Sequence, residues 1–149
     1  MSIISIVEAV VADLTPQPVF IHGMKSYANL AADDKVFPIV ILVEPVTSND
    51  EFRQGGLVDS SYPLFMIFLD RTELADIPSE QRIVVDAMRN LRRQFILKLK
   101  AATNTYNEKI FKSITDVKTT DTFNELDANA SGVYINFTAT PLNDESVCV

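Results

Sequence analysis

Apolar residues at the start of the chain recur at steps of three and four: Ile3, Ile4, Ile6, Val7, Val10, Val11 and Leu14. This stripe on a 3.6-residue period predicts a helix, capped by Ser2 and ended by Thr15-Pro16 and Pro18. Most of the stripe is β-branched, so packing rather than intrinsic propensity must hold it. Val19–His22, closed by Gly23, reads as a short strand, and Lys25–Asp34 as a polar connection. The pattern then changes. Val36–Glu44 and Tyr62–Leu69 are apolar at both parities, with Pro38 at a strand start or edge. The intervening Pro45–Ser61 is long for a link between adjacent strands and reads as a protruding hairpin arm, turned at Gly55-Gly56.

A second helix is predicted from Pro78, Ser79 and Glu80 to about Ala102, stopped by Thr103-Asn104-Thr105. Its expected buried stripe is Val84, Met88, Leu91, Phe95 and Leu99, with Ala87 and Ala102 alongside. Ile110–Lys118 and Val133–Thr140 alternate as half-buried strands do. In the second of these, Val133, Ile135, Phe137 and Ala139 share one face. The link Thr119–Gly132 is expected to fold Phe123 and Leu126 back onto the sheet. The order predicts an α+β domain: a mostly antiparallel sheet of four or five strands, two helices on one face, and the arm over 45–61.

Two helices cover one sheet face, yet Phe37–Val43 and Leu64–Leu69 are apolar on both. This leaves Ile39, Ile41, Phe65 and Ile67 as candidates for a subunit contact, along with Ile83, Ile96 and Leu97, which fall off the stripe of the second helix. Six such side chains leaving water would contribute roughly 9–18 kcal/mol, against association costs of about 4–15 kcal/mol. The alternative is that Lys25–Asp34 covers the second face.

Composition narrows the function. The 149 residues are 47% apolar and 22% charged, ordinary for one domain able to bury roughly 70% of its surface. The 13 basic and 20 acidic residues give −7, which disfavours binding nucleic acid by charge alone. No apolar run approaches the roughly 20 residues of a membrane helix, and the N-terminus lacks the basic segment of a signal peptide. Cys148, with no second cysteine, is expected as a reduced tail thiol or an intersubunit contact.

Enzyme chemistry finds few parts. His22 has no companions at metal-ligand spacing, so it reads as a structural histidine and no metal or cofactor is expected. Asp33-Asp34, Asp50-Glu51 and Asp144-Glu145 read as solvated acids, and Gly55-Gly56 lacks the following Lys of a phosphate loop. The cations are more informative. Arg82, Arg89, Arg92, Arg93, Lys98 and Lys100 all lie on the second helix, and Arg82, Arg89, Arg93 and Lys100 share a face turned from the core. Such a face is either solvated, or set against an acidic neighbouring subunit or DNA in a pore; the acidic chain favours the protein neighbour.

The succession of the amphipathic first helix, Phe37-Pro-Ile-Val-Ile-Leu-Val-Glu-Pro45, an Arg-Gln-Gly-Gly56 arm and Tyr62-Pro-Leu-Phe-Met-Ile-Phe-Leu69 carries a resemblance. With the long basic helix, Asp127-Ala-Asn-Ala-Ser-Gly-Val-Tyr-Ile-Asn-Phe-Thr138 and Cys148, the chain resembles tail-terminator or tail-completion proteins of the tailed-bacteriophage head–tail neck. The resemblance implies a non-enzymatic virion subunit, assembled in the host cytoplasm into a ring, commonly sixfold. That ring ends the tail tube, meets the head connector or stopper, and lets DNA pass without specific binding. It further implies that the arm residues Asp50, Glu51, Phe52, Arg53, Gln54, Gly55 and Gly56 reach a neighbour or the tube. Other neck rings, adaptors or stoppers that are sometimes twelvefold, remain an alternative. So does a monomeric domain holding a small apolar ligand on its second sheet face.

Overall fold

The computed structural model describes residues 2–23, 37–52, 54–55, 58–71, 78–125 and 130–142, with backbone only at Val58, Pro78, Asn124 and Glu125. Its elements are α1 (Ile3–Ala12), β1 (Val19–Gly23), β2 (Ile39–Val43), β3 (Asn49–Phe52), β4 (Val58–Arg71), α2 (Pro78–Lys100), β5 (Phe111–Glu125) and β6 (Ala130–Pro141). The expected segment 25–34, Arg53, Gly56, Leu126 and Cys148 lie outside the described residues.

The fold is α+β, as its patterning predicts. The sheet is mixed and has six strands in the order β1-β2-β4-β6-β5, with β3 added beside β4. The expected four or five strands fall short because the arm supplies a strand of its own, and the β1–β2 pair is parallel where the rest is antiparallel. Ser2 caps α1 as expected, its hydroxyl accepting from the Ile4 N–H at 3.2 Å.

Both helices pack on one sheet face. Val40, Leu42, Leu64, Met66, Phe68, Val133, Ile135, Phe137 and Ala139 point up from β2, β4 and β6 into a single core with α1 and α2. Phe95 of α2 sits at its centre, edge-on to Phe68 at 5.7 Å and to Phe137 at 6.0 Å. The buried sector of α2 differs from the expected stripe: Val85 is fully buried where Val84 is only half-buried, Ala87 is exposed, and Ile96 is buried. The helix is rolled toward β5, which brings the Val85–Ile96 flank down onto the sheet.

The second sheet face corrects the sequence reading. Ile39, Ile41 and Ile67, expected to be open for a subunit, are each 0% exposed and form a second cluster with Ile21, Leu69 and Ala130. A strand apolar on both sides needs two covers, and here one chain supplies both. Ile96 is corrected likewise, at 7% exposed.

β5 is the other departure. It runs to Glu125 instead of ending at Lys118, so Phe123 lies in a strand and not in a folded-back link. Its register slips between Thr115 and Lys118, where Asp116 adopts φ 56°. One residue more than in the facing β6 is inserted there, which resets the alternation of faces and hides the strand's second half from a period-two pattern.

Candidate functional site

Three surfaces emerge from this framework: the arm, the outer face of α2, and the basic edge between α2 and β5. The arm exists because β4 is longer than its neighbours in the body. Tyr62–Arg71 pairs with β6, whereas Val58–Ser61 continues past the body and pairs with β3, from Asn49↔Ser61 to Phe52↔Val58. Those four pairs extend the ribbon by about 13 Å. Gly55 supplies the turn at φ 89°, a left-handed conformation that a side chain would strain. Every β3 residue is exposed, and Ser60 Oγ donates to Asp50 Oδ1 at 2.6 Å across the ribbon. Phe52, near the tip, is 79% exposed. Between the arm and the body, Glu51 and Asp59 line a groove with Lys112.

On α2, Ile83 and Leu97 do remain open, at 69% and 57% exposed. Phe65 lies between these cases: half-buried, stacked on Tyr134 at 5.5 Å, beside a groove of about 340 Å³ that Thr47, Pro63, Asn136 and Thr138 also line.

The expected basic face divides into three. Arg82 and Arg89 are engaged within the chain, both on Asp121 of β5: Arg82 Nη1 lies 3.0 Å from Oδ2, and Arg89 Nε donates to Oδ1 at 2.8 Å with Nη2 on the same oxygen. An acidic neighbour is therefore not what these two arginines need. Lys100 joins Lys109, Lys112 and Ser113 around a groove of about 260 Å³ at the start of β5. Arg93 is exposed and makes no ion pair among the described residues.

Partial desolvation pushes the Asp121 carboxyl up, but the hydrogen bonds and charges of Arg82 and Arg89 outweigh it and hold the group below its ordinary value. A carboxyl lowered in the fold contributes stability that is present above the unfolded-state value of about 3.9 and is lost as pH falls through the lower folded value. Asp121→Asn is thus expected to lower stability at neutral pH and to have little effect near pH 2. The urea midpoint plotted against pH should show a flatter acid limb; an unchanged limb would mean the clamp contributes nothing.

Arg92 is a residue that the sequence reading left aside. It falls within the buried sector among Val85, Met88, Ile96 and Leu99, and its Nε is buried without a hydrogen-bond partner. Burial, reinforced by the charges of Arg89 and Arg93, pulls its guanidinium below the ordinary arginine value. The signal was present: Val85, Met88, Arg92, Ile96 and Leu99 are spaced by threes and fours, so the arginine interrupts an apolar row.

His22 lies at the end of β1, half-exposed, with Nδ1 3.5 Å from Glu44 Oε1. Among the described residues no three His, Cys, Asp or Glu side chains gather as metal ligands, and no helix is long and apolar enough to cross a membrane. An open groove of about 420 Å³ runs between α1 and the end of α2, with Ile6, Val10, Ala101 and Ile110 in its wall. Lys98 Nζ and Asp13 Oδ2, also lining it, lie 3.7 Å apart. No family model and no curated protein matches this chain.

Proposed function

We propose that the chain is a structural subunit of a tailed-bacteriophage neck, assembling into a ring that ends the tail tube and joins it to the head connector. The observation that carries this reading is the arm. A two-stranded ribbon is at best marginally stable by itself in water, and one with all of β3 in solvent and Phe52 79% exposed adds little to its own subunit. Such a ribbon gains most by lying on another surface, where the phenyl ring becomes a buried anchor. The element order and the short segments that resemble tail terminators supply the location, and the net charge of −7 suits a passage through which DNA slides.

Ring contacts in this reading use the arm, not β2 and β4, whose apolar side chains are already covered. Head-to-tail contacts of this kind close into rings when the rotation closes. Six subunits fit a terminator and twelve an adaptor or stopper, so symmetry separates these readings.

The test is light scattering with negative-stain microscopy on the full chain and on Phe52→Ser. Rings are expected for the parent. The variant should keep its circular dichroism and need at least about tenfold more protein to assemble, as for loss of a buried aromatic anchor. A parent that stays monomeric at about 100 μM, or rings that persist after removal of residues 50–56, would overturn the reading.

A further inference from the structure

Besides the row that faces the core, α2 carries a second row with helix-pairing spacing. Ile83, Ala87, Asn90, Gln94, Leu97 and Ala101 follow one another at alternate steps of four and three, the spacing of a seam between two helices. In the structure this row faces away from the sheet, with Ile83 and Leu97 both more than half exposed. Gln94 brings no unmet polar demand to it. Its amide is spent on the chain after α1, accepting from the Thr15 N–H at 3.2 Å and donating to the Thr15 carbonyl at 3.0 Å.

The row is also nearly its own mirror image about Asn90. Ile83 lies seven residues before and Leu97 seven after; Asp86 lies four before and Arg93 three after, both on the same flank. Asp86 is 63% exposed, and its contact with Arg82 is long at 4.0 Å, since that guanidinium is held at 3.0 Å by Asp121. Arg93 has no anionic partner among the described residues and sits beside two further arginines. One acid and one base with unspent charge thus flank one apolar seam.

We infer that α2 pairs with the α2 of a second copy of this chain, antiparallel about a two-fold axis at Asn90. In that arrangement residues equally far from Asn90 on its two sides, or within one residue of it (a rise of about 1.5 Å), face each other. Ile83 meets Leu97 twice, Asp86 meets Arg93 twice, and Asn90 faces its own copy. A parallel pairing would instead put this flank of the two copies on opposite sides of the seam, so that Asp86 and Arg93 would not meet across it. A contact in which one patch meets itself is isologous and closes at two copies. It uses a different surface from the arm, so it does not depend on the ring. A ring that also made it would stack in pairs.

The experiment is sedimentation velocity of the full chain over a range of concentrations. Asp86→Arg and Arg93→Asp are each expected to weaken the dimer by about tenfold, because each sets like charges together twice. The combined variant, which restores opposite charges with their places exchanged, should recover to within about threefold of the parent. Ile83→Asn with Leu97→Asn, made together with Phe52→Ser so that the arm contact is also removed, should leave only monomer at the same concentrations, with helical circular dichroism kept in every variant. Phe52→Ser, which tests the ring, should keep this dimer, so failures of the two readings appear in different variants. Single variants that associate like the parent, a double variant no better than the singles, or a dimer lost in Phe52→Ser would each overturn the two-fold contact.

Discussion

Gly132→Ala is expected to destabilise the fold by about 3 kcal/mol, although it adds only a methyl group. Gly132 lies in β6 opposite Leu69 of β4, in the middle of the sheet. A Cβ at this position falls 1.8 Å from the Phe68 carbonyl oxygen, 2.9 Å from its carbon and 3.1 Å from the Leu69 Cα. All three are backbone atoms of a strand held on its other side by β2, through Val40↔Phe68 and Ile39↔Leu69. No side chain can swing away to make room, so one strand must move from its partner, and the central core with Phe68 and Phe95 moves with it. Urea unfolding measures the effect: the midpoint should drop while the slope stays that of the parent. A midpoint within error of the parent would show that β4 and β6 are not this close at Gly132.

The same central strands show what could be read from the amino-acid order and what could not. Two-sided apolar runs identified β2 and β4 as strands covered on both faces, because burial on both sides leaves no room for alternation. The pattern records that Ile39, Ile41 and Ile67 are covered, but not whether the cover is the same molecule or another one, since both remove the side chain from water alike. The assignment to a subunit contact therefore failed where the strand assignment succeeded. On α2, a row spaced from Leu91 picked Val84, while the helix settles with Val85 and Ile96 turned down toward β5. Helical spacing gives a face to within about one residue's rotation of 100°, and the tilt that decides between neighbours comes from the sheet beneath.

Charge was harder still to read. Arg82 and Arg89 lie on the exposed flank in any helical projection, but Asp121 reaches them from a strand 32 residues beyond Arg89 in the chain. The slip near Asp116 had hidden that part of β5 from the periodic signal. The arm was legible for the opposite reason. A long polar segment with Gly55-Gly56 between two greasy strands has few ways to fold other than a hairpin carried on from them.

Ile96 and Leu97 give the largest contrast between adjacent residues that this fold predicts. Ile96→Asn is expected to cost about 4 kcal/mol, combining the lost burial of a branched side chain with an amide placed against apolar neighbours. Asparagine is a better choice than aspartate here. Arg92 stands one turn earlier with its Nε unpartnered, so a carboxylate at 96 would find a cation and mask the cost of burial. Leu97→Asn, one residue on, should cost only about 0.5 kcal/mol, mostly helix propensity, because that side chain is 57% exposed. The two should separate in urea, with Ile96→Asn unfolding far earlier and Leu97→Asn close to the parent. They should also separate in association measured well below both midpoints, where only Leu97→Asn weakens self-contact at unchanged fold. Equal losses of stability would place Leu97 in the core and remove the outer seam of α2 as a surface. Equal stability near the parent would mean that α2 does not roll toward β5, and the Val84 face would then be the buried one.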